Sequence, residues 1–329
     1  MDDPTGLLII SRTPLRASFC GGGTDIDSFS KTEERGGKVV SLAIDKYIHV
    51  LVNKRFDERV RVSYSSLELV DDFENLKHEL VREAMRLTGV TSGVEITTIA
   101  DIPSRGTGLG SSSTVTVGLL NALHKFAGRD VSPAQLAEEA CLIEIDILGQ
   151  PIGRQDQYAA AFGGINAISF DSEGVRVEPI TVSCESQIRD EFTLVFTGLS
   201  RSASEVLREV PRDHNNKLTR LRKIRNQADN AEQFLNEGEL SKLGILIGEA
   251  WHEKRGISAG VSGNEIDSLH DEIMSLGASG AKLLGAGGGG FFLVHGEKGL
   301  RDRLRQLRAK NRLIPLGIDD IGSTIIFEG

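Results

Sequence analysis

The stretch PSRGTGLGSSSTVTVGLLNALHKFA, residues 103–127, begins with glycine and hydroxyl side chains and continues with apolar side chains at helical spacing. Gly106, Gly108 and Gly110 allow the backbone to turn tightly and to approach a ligand closely. The apolar residues that follow recur at steps of three and four, as in an amphipathic helix. They are Val115, Leu119, Leu120, Leu123 and Phe126. The stretch therefore predicts a glycine loop that leads into the N-terminus of a helix.

The N-terminus of this helix has the properties of an anion-binding site. Its first backbone N–H groups have no partners within the helix, and the helix dipole places about half a positive charge there. Four hydroxyl side chains, at residues 111–114, lie in the same turn, where they can bind phosphate oxygens or ligate magnesium. We therefore predict a phosphate-binding loop. A helix that is merely capped by its serines is the alternative.

Two known phosphate-binding motifs do not match this stretch. A Walker A loop requires Lys and then Ser or Thr after its last glycine, and no Lys stands between Gly106 and Thr114. A Rossmann fingerprint requires glycine where Ser111 stands. A second glycine run, residues 285–290, satisfies the Rossmann pattern literally, but a predicted strand follows it instead of a helix. A nicotinamide-dependent oxidoreductase is therefore only an alternative, and we expect the second run to approach a ligand or the first loop.

The composition limits the kinds of partner that the chain can have. The net charge of −9 over 329 residues argues against general binding to nucleic acid, which needs a basic surface. The three cysteines are far apart and form no CxxC pair, which is typical of reduced thiols in a cytoplasmic protein. No stretch reaches the roughly 20 apolar residues of a membrane span, and the first residues do not form a signal peptide. We expect a cytoplasmic protein whose partners are small molecules.

Three carboxylates stand at positions where they can carry chemistry. Asp25 follows three glycines, 21–23, and can either bind sugar hydroxyls or cap a turn. Glu144 lies on the small, apolar stripe of a helix that is predicted to run to about residue 148, so it needs a cation such as magnesium or a place at the edge of the stripe. Asp156 follows Glu144 across a turn, so both carboxylates can face one pocket. Asp156 can act as a base in this pocket, or it can cap a short helix.

Two further predictions concern secondary structure near this pocket. Residues 7–10 and 15–20 predict two strands, and Arg16 and Ser18 share one face of the second strand. A long helix at about 214–236 carries a stripe of basic side chains, which we expect to be solvated surface.

Three segments of the chain, taken in order, resemble the three motifs of the GHMP kinases, the family that includes galactokinase and the homoserine, mevalonate and phosphomevalonate kinases. They are RTPLR…GGGTD at 12–25, PSRGTGLGSSS at 103–113 and LLGAGGGGFF at 283–292. The resemblance implies an α+β fold of two domains. Residues 1–183 would form a domain like ribosomal protein S5 domain 2, and residues 184–329 a ferredoxin-like domain. ATP would bind between them.

The resemblance also implies roles for individual residues. Asp156 matches the catalytic aspartate, and Arg16 stands where members of the family have a Lys or Arg near the transferring phosphoryl group. Ser112 and Glu144 match the magnesium ligands. The residues that match the ATP-binding loop are Pro103, Arg105, Gly106, Gly108, Leu109, Gly110, Ser111, Ser112 and Ser113.

Within the family, GGGTD at 21–25, GRQDQYAAAFGG at 153–164 and TGLSRSASEVL at 197–207 resemble the branch that phosphorylates D-glycero-D-manno-heptose 7-phosphate at its anomeric C1 hydroxyl, towards nucleotide-activated heptose. GGG replaces the GEH of the galactokinase branch, which argues against galactose. The residues expected at the acceptor are Gly23, Thr24, Asp25, Arg201, Lys254, Arg255, Gly287 and Gly288. The alternatives are a GHMP kinase for a galactose- or fucose-like sugar or an alcohol, and a catalytically silent sensor. The implied partners are ATP, Mg²⁺ and a sugar phosphate, with a homodimer as one possible assembly.

Overall fold

The computed structural model describes residues 6–102, 106–200, 214–307 and 313–329. Within these ranges, eight strands form a mixed sheet in the first structural unit. They are β1 (Leu8–Cys20), β2 (Gly37–Lys54), β3 (Val60–Ser63), β4 (Leu67–Val70), β5 (Val94–Ala100), β6 (Ile165–Phe170), β7 (Val175–Pro179) and β12 (Thr324–Glu328). Their order is β12-β1-β2-β5-β3-β4, while β6 pairs with the first part of β2 and carries β7 on its other edge. Only the pairing of β3 with β5 is parallel among these described strands.

The two longest strands, β1 and β2, form an antiparallel pair that runs from Leu8 opposite Asn53 to Cys20 opposite Val40. The two strands predicted at 7–10 and 15–20 are therefore one continuous strand. The register shifts directly after Pro14, a residue that has no N–H to donate to the ladder. The shift allows β1 to continue towards the centre of the molecule.

Five described helices belong to the first unit: α1 (Asp27–Ser30), α2 (Glu79–Thr88), α3 (Ser111–Phe126), α4 (Pro133–Cys141) and α5 (Gln155–Phe162). The central one is α3, which lies directly on β1 and β2. Gly118 permits this close approach, because a Cβ there would lie 3.0 Å from Thr13 Oγ1 and 3.2 Å from Val50. The apolar stripe predicted for this helix is buried at Leu119, Leu120 and Leu123. The packing therefore fixes the N-terminus of α3 relative to the sheet.

The helix predicted to run to about residue 148 has two parts. The α-helix ends at Cys141, and a π-helical turn continues over Leu142–Ile147. Short π-helical turns are rare and are frequently found at functional sites. This turn carries Glu144, which is buried against α3.

The second unit contains a four-stranded antiparallel sheet in the order β11-β8-β10-β9 within the described ranges. Its strands are β8 (Phe192–Phe196), β9 (Gly280–Leu283), β10 (Phe291–His295) and β11 (Leu313–Pro315). Its described helices are α6 (Glu185–Glu191), α7 (His214–Glu237), α8 (Leu240–Arg255), α9 (Asn264–Ser275) and α10 (Leu300–Leu307). The indole of Trp251 packs edge to face on Phe292, with ring centroids 5.8 Å apart, in the core between α8 and the sheet. None of the described helices is long and apolar enough to cross a membrane.

The two units are held together at several points. β12, near the C-terminus, pairs with β1, so the last strand of the expected domain 184–329 lies in the sheet of the first unit. Helix α7 lies against β2, where Lys38 Nζ donates to Asp229 (3.1 Å) and Glu232 (2.5 Å). A cleft remains between the units, beside β1 and the N-termini of α3 and α5.

Candidate active site

The cleft between the two units contains a cavity of about 750 Å³. Its walls come from the glycine-rich segments, from the first turns of α3 and α5, and from α7 and α8. The expected site residues that line it are Arg16, Gly23, Asp25, Gly106, Gly108, Gly110, Ser111, Ser112, Ser113, Asp156, Lys254 and Gly287. The fold therefore brings the three glycine-rich segments of the sequence to one cavity.

The loop at 106–110 enters α3 at the cavity wall. Gly106, Gly108 and Gly110 have φ angles of 69°, 75° and 74°, in the left-handed region that favours glycine. Gly110 is the N-cap of α3, and no side chain caps the helix. The alternative of a helix capped by its serines is therefore wrong. The first N–H groups of α3 are left for a ligand in the cavity.

The second glycine run packs directly onto this loop. A Cβ on Gly285 would lie 2.5 Å from the Cα of Gly108, so only glycine allows the two backbones to approach so closely. The expected contact between the two loops is confirmed, and β10 follows the run as predicted. Gly287 lines the cavity, whereas Gly288 is outside its lining and donates its N–H to Val261 O (3.0 Å).

Arg16 and Asp156 form a two-point ion pair at the centre of the cavity. Arg16 Nε lies 2.7 Å from Asp156 Oδ1, and Arg16 Nη2 lies 2.9 Å from Oδ2. Arg16 is only 4% exposed, and its Nη1 donates to the carbonyl of Gly108. Arg154, and not Asp156, is the N-cap of α5, so the capping alternative for Asp156 is wrong. A Cβ on Gly110 would lie 3.2 Å from Asp156 Oδ2, which puts this carboxylate beside the start of α3.

Glu144 is fully buried, and its hydrogen-bond donors are neutral groups. The hydroxyls of Ser112 (3.1 Å) and Thr116 (3.2 Å) donate to Oε1, and the amide of Gln157 donates to Oε2 (2.6 Å). Burial raises the pKa of Glu144 to about 7. A buried carboxylate that has no cationic partner among the described residues and lies beside a cavity-lining hydroxyl is a donor set that suits Mg²⁺. No cluster of three acidic, histidine or cysteine ligands occurs in the described part of the chain, so an ion here would need phosphate oxygens or water as further ligands.

Asp25 joins the first glycine segment to α5. Its carboxylate, 1% exposed, accepts from the N–H of Gly23 (2.9 Å) and from both the N–H and the side-chain amide of Gln155 (3.1 Å each). Burial raises the pKa of Asp25. Thr24 is buried, lies outside the cavity lining, and shapes the turn through a hydrogen bond to the carbonyl of Gly21. Gln155 was not predicted as a site residue, although its Oε1 is buried without a hydrogen-bond partner among the described residues.

The other expected residues have different placements. Lys254 is half-buried in the cavity wall. Arg255 is not part of the lining, and it forms an ion pair with Asp267 at 3.7 Å. Leu109 is buried outside the lining, and its carbonyl accepts the N–H of Arg16. Pro103, Arg105 and Arg201 lie outside the described residues.

The expectation that the basic stripe of α7 is solvated surface is confirmed for Arg222 and Lys223, which are exposed, and is wrong for the rest of the stripe. Lys217 lines the cavity together with Leu221 and Ile224 of the same helix. Arg220 on this helix pairs with Glu253 of α8 (2.9 Å). A pattern of charges cannot distinguish solvent from a neighbouring unit, since both accept charged side chains.

Comparison with known proteins identifies the family. The model of the GHMP kinases N terminal domain matches residues 75–164, and that of the GHMP kinases C terminal domain matches residues 231–312. A D-glycero-alpha-D-manno-heptose 7-phosphate kinase from Campylobacter jejuni is 30% identical over 303 residues, which cover 86% of this chain and 88% of the relative.

Solved structures agree with the fold. The structure of a D-glycero-D-manno-heptose 1-phosphate kinase from Bacteriodes thetaiotaomicron superposes with a TM-score of 0.80 at 23% identity, over 97% of this chain and 99% of the other. The structure of the Lactococcus lactis galactokinase in complex with galactose superposes with a TM-score of 0.75 at 20% identity, over 96% of this chain and 95% of the other. The expected two-domain α+β fold and phosphotransferase class are confirmed, and the oxidoreductase alternative is wrong. With both domain models and a relative of this identity and coverage, the chain belongs to the GHMP kinase family.

Proposed function

We propose that this protein transfers the terminal phosphoryl group of ATP to the anomeric C1 hydroxyl of D-glycero-D-manno-heptose 7-phosphate, yielding the 1,7-bisphosphate. The name of the Campylobacter jejuni relative supports this acceptor. One observation carries the proposal: Asp156, held by Arg16, lies between the start of α3 and the pocket around Asp25 and Gln155. A base placed there reaches both a nucleotide phosphate and a sugar hydroxyl.

The described residues account for the main requirements of phosphoryl transfer, which are alignment and neutralisation of charge. The N–H groups of the loop and of the first turn of α3 bind the phosphates of the nucleotide. Arg16 balances negative charge on the transferring group. Asp156 accepts or orients the proton of the acceptor hydroxyl, and the two-point ion pair with Arg16 fixes the direction of its carboxylate.

Magnesium is part of this proposal. Ser112 and Glu144 would hold the ion together with phosphate oxygens, because Mg²⁺ is usually bound by one or two carboxylates and by substrate phosphates. When bound, the ion supplies further neutralisation of phosphate charge.

The magnesium assignment predicts a specific change in metal dependence. Glu144→Gln removes the anionic ligand at nearly constant volume, so we expect the Mg²⁺ concentration for half-maximal rate to rise about tenfold or more. Glu83→Gln is the matched control, since Glu83 is also buried but pairs with Arg86 and is not part of the cavity lining. Steady-state rates over a Mg²⁺ titration measure the effect. An unchanged requirement in both Glu144→Gln and Ser112→Ala would remove these residues from the metal site.

Gln155 is proposed as a ligand for an acceptor hydroxyl. Its Nε2 is committed to Asp25, so its buried Oε1 is the atom that can accept a hydrogen bond from the sugar. We expect Gln155→Leu to raise the KM for the acceptor about tenfold while the KM for ATP stays within about twofold. Gln135→Leu, at a surface position paired with Glu139, is the control. Equal changes in both KM values would indicate a general distortion of the cavity.

The identity of the acceptor is tested by ATP consumption against a panel of free and phosphorylated sugars. We expect the highest kcat/KM with the heptose 7-phosphate and much lower values with free heptose, galactose and fucose. The Bacteriodes thetaiotaomicron neighbour is named for a heptose 1-phosphate, so this compound belongs in the panel. A higher kcat/KM with any other member would replace the proposed acceptor.

The phosphate of the acceptor requires a cationic partner, for which Arg201, Lys254 and Arg255 stay proposals. Of the two that are described, Lys254 lines the cavity and Arg255 does not.

The product would feed the synthesis of a nucleotide-activated heptose. Cys20, Cys141 and Cys184 are free thiols, which fits the cytoplasmic location that we propose for an ATP-using enzyme; a homodimer also stays a proposal.

A further inference from the structure

Two lysines line the cavity wall without a carboxylate partner among the described residues. Lys282 is 4% exposed, and its Nζ donates to the carbonyls of Ser18 (2.8 Å) and Phe19 (2.9 Å). Lys254 Nζ donates to the carbonyls of Leu283 (2.8 Å) and Gly285. Lys254 therefore uses two of its three donors, whereas Lys282 uses two at short distance and its third in a long contact of 3.5 Å with Ser18 Oγ. All of these acceptors are neutral, so they hold the ammonium groups in place without balancing their charge.

The two lysines contact different segments of the site and lie close enough for the charge of Lys282 to act on Lys254. Lys282 lies 3.5 Å from Ser18 Oγ, and Ser18 is a neighbour of Gly22 and Gln155 in the acceptor pocket. Lys254 contacts Gly285, which packs on the phosphate loop. Both lysines line the cavity. They thus mark the region between the nucleotide phosphates and the acceptor.

The electrostatics of this region favours an anion. Burial lowers the pKa of Lys282 to about 8 and lowers the pKa of Lys254 well below its usual value, and the positive charge of Arg16 acts in the same direction on both. Arg16 is the one member of this cationic group that has a carboxylate partner among the described residues, namely Asp156. A dianion between the two lysines would balance their charges, accept from the remaining donor of Lys254 and replace the long contact of Lys282 with Ser18 Oγ.

Lys38 serves as a comparison, because it links the two units without lining the cavity. It also crosses the junction, but it pairs with two carboxylates, Asp229 and Glu232, and it is not part of the cavity lining. Lys282 crosses the same junction to β1 and has no such pair among the described residues. This difference is the reason to assign Lys282 a ligand in addition to its carbonyl contacts.

We propose that Lys254 and Lys282 together form a phosphate-binding site in the wall of the cavity. The phosphate is either the acceptor's own, which rests on the proposed function, or the terminal phosphate of the nucleotide. Lys282 is then a binding residue that the sequence motifs did not indicate.

The first test is kinetic and compares Lys282→Met, Lys254→Met and the control Lys38→Met. Methionine keeps the apolar stem of lysine and removes the charge. If the acceptor's phosphate binds here, its KM rises about 10- to 50-fold in the two cavity variants and the KM for ATP changes by less than about threefold. If the nucleotide's phosphate binds here, the KM for ATP rises instead. Lys38→Met is expected to leave both KM values unchanged and to lower the melting temperature only.

The second test does not depend on the identity of the acceptor. Inorganic phosphate is titrated against the melting temperature, with and without a non-hydrolysable ATP analogue. We expect phosphate to stabilise the wild type more than Lys282→Met, because the variant lacks half of the site. Stabilisation that persists with the analogue bound points to the acceptor's phosphate, and stabilisation that the analogue abolishes points to the nucleotide's.

The proposal is overturned if phosphate stabilises the wild type and Lys282→Met equally and the kinetic constants of the cavity variants match those of Lys38→Met. Inactivity towards the heptose 7-phosphate with a preserved difference in phosphate stabilisation would instead refute the proposed acceptor and leave the phosphate site standing.

Discussion

Asp156→Asn is expected to lower kcat by about 10²- to 10⁴-fold while the affinity for ATP changes little, because the amide can no longer accept the proton of the acceptor hydroxyl. Asparagine keeps the size of the side chain, so the cavity stays open. The variant also removes the counter-charge of the buried Arg16, and a lower melting temperature should accompany the loss of activity. Single-turnover rates and titration with a non-hydrolysable ATP analogue separate chemistry from binding.

A neighbouring aspartate provides the control for this variant. Asp27 also accepts from arginine, at 3.0 Å from Arg154 Nη2, but it is partly exposed and does not line the cavity. Asp27→Asn is expected to keep kcat within about twofold of the wild type. Full turnover in Asp156→Asn would show that Asp156 takes no part in the chemical step.

Gly108→Ala is expected to lower kcat/KM for ATP by about 100-fold or more. A Cβ at this position would lie 2.6 Å from the carbonyl oxygen of Leu284, so the second glycine run would have to move away from the phosphate loop. The movement would also disturb Arg16, which donates to the carbonyl of Gly108. Kinetics at varied ATP concentration measure the effect.

Gly128 offers a matched comparison for the backbone strain. Its φ angle is 74°, against 75° for Gly108, but a Cβ there would meet open space. Gly128→Ala therefore carries the same left-handed strain, of about 1 kcal/mol, without the clash, and we expect lower stability with normal kinetics. Equal kinetic losses in the two variants would mean that strain alone, and not the contact between the loops, explains the effect of Gly108→Ala.

The local parts of the site could be predicted from the sequence because their chemistry is encoded in short segments. Alternating glycines before an apolar helix predict an anion-binding loop wherever they occur. The π-helical turn at Glu144 could not be predicted, since periodicity does not distinguish a π turn from the end of an α-helix. The continuity of β1 through Pro14 could not be predicted either, because proline usually ends a strand. Here the register shift after Pro14 accommodates it.

The contacts between the two units could not be predicted from the sequence. Gln155, Lys217 and Lys282 come from three different elements, and only the packing of the units brings them to one cavity. Nothing in their local sequence distinguishes them from surface or structural residues. The resemblance to a family indicated the proposed catalytic pair and the proposed metal ligands, but it gave no role to these three residues.

We propose that phosphate passes in this cavity from ATP to the C1 hydroxyl of a heptose that already carries a phosphate at C7. Phosphorus NMR of the reaction mixture shows which carbon receives the phosphate. We predict ADP and a product with two phosphorus signals, one from the original C7 ester and a new one coupled to the anomeric proton. A new signal coupled to protons of another carbon, or ATP hydrolysis without any new sugar phosphate, would contradict the account.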